Sequence, residues 1–186
     1  MVTATQILRD EHEAILKMLD VSERVAQQFD RGGKVRPEVL ADLLEFFRVF
    51  ADRCHHTKEE ELLFPLLERK GIPREGGPVG VMLHEHEEGR ALIKKLAEAA
   101  EAYREGKEGA ALRWSEAAQA YAQLLRGHIF KENNVLFPMA ERILTAEEQA
   151  QLAEDFERLE VEKMGEGTHE RLHAKMNKLL AEVGLK

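Results

Sequence analysis

The stretch HHTKEEELLFP at residues 55–65 returns as HIFKENNVLFP at residues 128–138. His55 matches His128, Lys58 matches Lys131, Glu59 matches Glu132, and Phe64-Pro65 matches Phe137-Pro138, each 73 residues on. A second match lies upstream of each copy. Glu11-His12-Glu13 falls over Glu85-His86-Glu87, 74 residues on. Self-similarity at a fixed period marks one structural unit used more than once.

The sequence around these motifs reads as helix. Leu8, His12, Ile15, Leu19 and Ala26 recur at three- and four-residue steps, predicting a helix from about Thr3 to Asp30. Arg31-Gly32-Gly33 breaks it, and Pro37 suits the first turn of a second helix reaching about Lys70. Gly71 to Gly80 is the longest breaker-rich connection, followed by a helix from about Val81 to Glu105. Gly106 to Gly109 turns into a fourth, about Ala110 to Ile143. Thr145 with Glu148 forms a capping box for a last helix, which Gly165 and Gly167 interrupt before His169–Val183. Neither hairpin buries its apolar face alone. The expected fold is therefore all-α: an up-down-up-down four-helix bundle of two duplicated hairpins, plus a C-terminal tail helix. Residues 1–144 make the bundle and 145–186 a helical extension packed on it.

Composition narrows the function classes. The net charge is −8 and no Lys/Arg cluster stands out, which argues against a nucleic-acid partner. Apolar runs fall far short of about 20 residues, so no membrane span is expected. The start lacks the pattern of a signal peptide, and Cys54 is the single cysteine, which sets the expectation of a reducing cytoplasm. Cys54 reads as a buried thiol and Trp114 as core or interface. Eight histidines, most beside Glu, are the unusual feature.

Chain length brings four of them to one level. His12 lies 20 residues before Gly32, and His55 lies 22 after Gly33. At 1.5 Å per residue these are about 30 and 33 Å from the same turn. His86 and His128 stand in the same relation to the second turn. Periodicity supplies the facing. Leu44, Phe47, Ala51, His55, Glu59, Leu62 and Leu66 form the stripe of helix 2, and Tyr121, Leu124, His128, Glu132, Val135 and Met139 that of helix 4. An ionised Glu inside a bundle is costly unless paired or metal-bound, and here it occurs twice beside a His. Pro65 and Pro138 should kink these helices just beyond the Glu.

Four imidazoles and two carboxylates exceed a tetrahedral zinc site, and no thiolate joins them. Two six-coordinate ions, each with two His and sharing both Glu, use the set symmetrically. Iron suits it best, with manganese and zinc as alternatives. The open positions suit an oxo or hydroxo bridge and a small ligand: O2, NO or peroxide. Ferritin-like bundles use Glu-x-x-His instead. With His-x-x-x-Glu on helices 2 and 4 and lone His on helices 1 and 3, the sequence resembles the hemerythrin-like, HHE cation-binding domain family. RDEH and LHEHEEGR resemble that family's helix 1 and helix 3 ligand segments. The resemblance covers about residues 1–144. It implies a non-heme di-iron site with His12, His55, Glu59, His86, His128 and Glu132 as ligands, binding or reacting with a small ligand in sensing, storage or detoxification.

Oxygen-carrying hemerythrins use five His ligands, and the repeat places four. His84 is two residues from His86, and His56 points about 100° from His55 on a regular helix. His169, His173, water or Glu60 are left for the remaining place. The resemblance extends to proteins that repair iron–sulfur centres after nitrosative stress. Those carry an extra N-terminal cysteine-bearing domain, whereas this sequence begins almost directly with helix 1. Two other readings compete: an iron-responsive or structural metal domain acting through a protein partner, and a zinc hydrolase built on the HExxH match His169-Glu170-Arg171-Leu172-His173. Only thirteen residues follow His173, with Glu182 as a distant carboxylate, so a charged tail helix covering the bundle suits this segment better.

Overall fold

A computed structural model of the chain describes residues 2–184. It contains six helices and no strand among the described residues. Helix α1 is Ala4–Asp30, and Thr3 caps it by accepting from the Gln6 amide. Helix α2 is a continuous rod over residues 37–69. Helix α3 is Pro78–Arg104. It begins three residues before the expected Val81, because Pro78 serves as a first-turn residue, as Pro37 does in α2. Helix α4 covers residues 110–143. The tail forms α5, Ala146–Met164, opened by the expected Thr145–Glu148 capping box, and α6, Thr168–Glu182. The two hairpins close on matching glycines: Gly32 at φ 74° and Gly106 at φ 72°, a conformation that other residues rarely adopt.

Neither α2 nor α4 is a regular α-helix. In α2, Phe47–His56 and Glu59–Leu63 are π-helical, and in α4 the matching Glu132–Leu136 is π-helical. The two short π turns end two residues before Pro65 and Pro138. A proline offers no N–H and crowds the carbonyl four residues back, so the ladder opens into i→i+5 bonds there. The extra residue moves the buried face on by one. Leu63 and Leu67 are buried where the α-helical stripe named Leu62 and Leu66. Leu136 and Ala140 are buried where it named Val135 and Met139, and Val135 is exposed.

The interior has three layers. One apolar cluster gathers Ile15, Phe46, Phe47, Phe50, Trp114 and Tyr121 at the hairpin end. The other gathers Leu8, Leu63, Phe64, Phe137 and Ala140 at the opposite end. Between them lie His12, His55, Glu59, His86, His128 and Glu132, all buried. Contacts across the α1–α2 seam are the sparsest in the bundle, and both tail helices pack on α1 and α2. Leu152 and Phe156 of α5 join the second cluster, and Leu172, Met176 and Leu179 of α6 join the first. No helix of the described residues is long and apolar enough to cross a membrane.

Candidate metal centre

The polar layer brings six predicted residues into two overlapping groups. His12, His55, Glu59 and Glu132 form one, and Glu59, His86, His128 and Glu132 the other, with donor atoms within 4.8 Å of one another. The two glutamates belong to both. His86 Nε2 lies 3.1 Å from His128 Nε2. His12 Nε2 and His128 Nε2 each lie 3.2 Å from Glu132 Oε2, and His86 Nε2 lies 3.4 Å from Glu59 Oε2. Donors sharing one ion at bonds of about 2.1 Å keep about 3.0 to 3.4 Å between them. His12 Nε2, His55 Nε2 and all four oxygens of Glu59 and Glu132 are buried without a hydrogen-bond partner. Some of these atoms are close, but their angles do not make hydrogen bonds. Buried polar atoms are rarely left so, and this donor set fits a cation.

The outward ring nitrogens tell the same story. His55 Nδ1 donates to Glu11 Oε2 at 2.8 Å, and His128 Nδ1 to Glu85 Oε2 at 3.0 Å. His12 Nδ1 donates to Asn133 Oδ1 at 2.9 Å, and His86 Nδ1 to Glu60 Oε1 at 2.7 Å. These partners repeat as well: Glu85 is the counterpart of Glu11, and Asn133 that of Glu60. Holding the proton on Nδ1 leaves Nε2 bare and aimed inward, the arrangement of metal-binding histidines. Each outer acceptor comes from a neighbouring helix, so the site ties the four helices together.

The electrostatics favour positive charge at the centre. Burial, and then the neighbouring Glu132, push Glu59 well above the usual carboxylate range. Burial also works against Glu132, yet His128 and then His12 hold it well below that range. Burial opposes the charged form of His128, but Glu132 raises it to about 9. His55 goes the other way, lowered to about 4 by burial and then by His12. Carboxylates that draw a proton onto one imidazole offer the same field to a metal cation.

His56 is where the structure departs most from the sequence expectation. It is buried, and its ring stacks on His86 with centroids 3.9 Å apart at 17°. Its donor atoms group with those of His86 and His128. The π run Phe47–His56 explains this: each residue of a π-helix turns less than 100° about the axis, so both histidines of the pair face inward. The second repeat has Ile129 at this position and is α-helical there. The doublet was the available signal; the widened helix was not visible in it. His84 is exposed and pairs with Glu88.

Glu60, His169 and His173 lie outside the two groups. Glu60 accepts from His86 Nδ1 and from Arg90 Nη2 at 2.7 Å each. His169 stacks on Phe50 and His173 meets the same ring edge-on, with Glu11 and Lys58 on the bundle side, and Glu170 between them in sequence is exposed. Cys54 is buried, its thiol pushed up by burial and then by Glu11, which keeps it protonated.

A model of the hemerythrin HHE cation binding domain matches residues 3–140. The chain belongs to this family. An uncharacterized protein of Mycobacterium tuberculosis is 24% identical over 184 residues, covering 99% of this chain and 71% of the relative. The iron-sulfur cluster repair protein YtfE of Edwardsiella ictaluri is 31% identical over 132 residues, 69% of this chain and 59% of the relative. The iron-sulfur cluster repair protein DnrN of Neisseria gonorrhoeae is 38% identical over 87 residues, 45% and 54% of the two chains. The HHE match thus spans the four-helix bundle, while α5 and α6 lie beyond it.

Proposed function

We propose that this HHE domain binds two iron ions and admits a small ligand to one of them. The observation that carries this is the duplicated ring of inward Nε2 atoms around four unpartnered carboxylate oxygens. His12 and His55 would hold one ion and His86 and His128 the other, with Glu59 and Glu132 available to both. His56 adds a fifth imidazole on the His86 side. With both ions bound, the pair would be unequal, and the His12–His55 side would have fewer protein donors and room in its coordination for a small ligand. When bound, iron supplies the electron exchange and the affinity for that ligand. The protein fixes the imidazoles through Glu11, Glu60, Glu85 and Asn133, and keeps bulk water out with Leu8, Phe64 and Phe137 at one end. Among O2, NO and peroxide we favour NO: two relatives bear the name iron-sulfur cluster repair protein, and the repair proteins that the sequence resembles act after nitrosative stress.

Metal analysis of protein grown without added zinc should find about two irons per chain, as in other carboxylate-bridged bundles. His55→Ala or His128→Ala should remove them. Near-ultraviolet charge-transfer bands should change on adding azide or NO. One zinc ion indifferent to both substitutions would overturn the proposal. The outer partners supply a finer test. Glu60→Ala frees the His86 ring, and such a loss weakens metal affinity by about 10- to 100-fold. Competition with a chelator measures it. Unchanged affinity would mean that Glu60 does not orient His86.

A further inference from the structure

On the tail side of the bundle, α5 and α6 line an open pocket of about 280 Å³ against α1 and α2. Its walls include Asp10, Glu11, Lys58, Glu157, Glu160, His169 and His173 around Phe50 and Phe156. Glu11 and Glu160 share the Lys58 ammonium there, while Asp10 and Glu157 line the pocket from exposed positions. Lys58 does not satisfy them all. It donates to Glu160 Oε2 at 2.8 Å, and Cys54 Sγ reaches the same oxygen, so both bonds fall on Oε2 and neither on Oε1. Donor atoms of Glu11, Glu160 and His169 lie within 4.8 Å of one another. His173 stands one turn along α6, its ring 4.5 Å from that of His169 and its own donor atoms outside that group, so it joins the other two by a change of rotamer.

We propose that His169, His173 and Glu160 form a second, mononuclear site for a divalent transition metal, separate from the duplicated centre. The donors are two imidazoles at i, i+4 on one helix and a carboxylate from another. That mixture suits Fe²⁺ or Zn²⁺ and is poor for Ca²⁺ or Mg²⁺, which want oxygen. Phe50 fixes the two rings, with centroids 5.3 and 5.5 Å away. The cavity walls leave room for water to complete the coordination. Glu11 lies on the inner side, its Oε2 bonded to His55 and its Oε1 to Lys58. An ion at this site therefore acts on the outer partner of His55, and the spectrum of the main centre reports its arrival.

The test is to titrate the iron-loaded chain with Co²⁺ under argon, followed by equilibrium dialysis and visible absorption. Wild type should take up one more equivalent of cobalt than the His169→Gln/His173→Gln double variant. Glu160→Gln, which keeps the side chain's shape, should weaken that uptake by about tenfold or more, as loss of a charged ligand does. His55→Ala should lose iron from the main centre and keep the cobalt site, so failure of one site is separable from failure of the other. Circular dichroism checks that each variant is folded; if the double variant is not, Glu160→Gln decides. Equal cobalt uptake and affinity in wild type and Glu160→Gln would overturn the proposal.

Discussion

Removing the metal with a chelator should lower the melting temperature by about 5 to 15 °C. Six buried atoms of His12, His55, Glu59 and Glu132 have no protein group to satisfy them. Each such atom costs about 1 to 3 kcal/mol when it has neither water nor a partner. A ligand that binds only the folded chain adds about 2.7 to 4.1 kcal/mol at 100 to 1,000 times its dissociation constant. For a chain of this length each kcal/mol moves the midpoint by about 2 to 4 °C. The loss should also be cooperative across all four helices, because Glu11, Glu60, Glu85 and Asn133 each bind a histidine of a neighbouring helix. Calorimetry with and without chelator checks it, with iron added back to restore the midpoint. A midpoint that chelation leaves unmoved would show that the polar layer is held by ion pairs alone.

The repeat and the stripes were legible because side-chain period is a local property. Leu8, His12 and Ile15 share a face whatever surrounds them, and the two copies of His-x-x-x-Glu point one way on any regular helix. The inward turn of His56 was not legible. It depends on i→i+5 bonding over ten residues of α2, and α-helical spacing assigns His56 to another face. The same widening moved the buried face from Leu62 to Leu63 and from Val135 to Leu136. The outer acceptors were half legible. Glu11 and Glu85 stand directly before a ligand-type His in both repeats, and Lys58 and Lys131 match. Which imidazole each carboxylate binds is a matter of helix neighbours: Glu11 serves His55 on α2, not the His12 beside it. The tail was the least legible part. HERLH reads as helix by pattern, but only the sparse α1–α2 seam explains where it docks.

Lys58→Met should destabilise the protein by about 3 to 5 kcal/mol, whereas Lys131→Met should cost about 1 kcal/mol or less. The two lysines occupy the same place in the repeat. Each ammonium binds a glutamate that in turn holds a histidine: Lys58 to Glu11 and His55, Lys131 to Glu85 and His128. They differ in surroundings. The Lys58 side chain is 1% exposed and also binds Glu160 of α5, while that of Lys131 is 40% exposed. Breaking a buried pair leaves a charge in low dielectric; breaking an exposed one hands it to water. Burial works against the ionised Glu11 carboxyl, but the His55 hydrogen bond and the Lys58 charge hold it at about 2. Its folded pKa lies below the ordinary value, so its contribution is complete above about pH 4.5 and lost as the pH falls towards 2. Without Lys58 that window moves up, and acid unfolding should begin at higher pH in Lys58→Met than in wild type or Lys131→Met. Urea melts from pH 3 to 7 on all three proteins measure both effects. Equal losses for the two lysines would show that the tail's cover over Lys58 does not govern the strength of the pair; a small loss for Lys58 alone would mean that His55 suffices to hold Glu11.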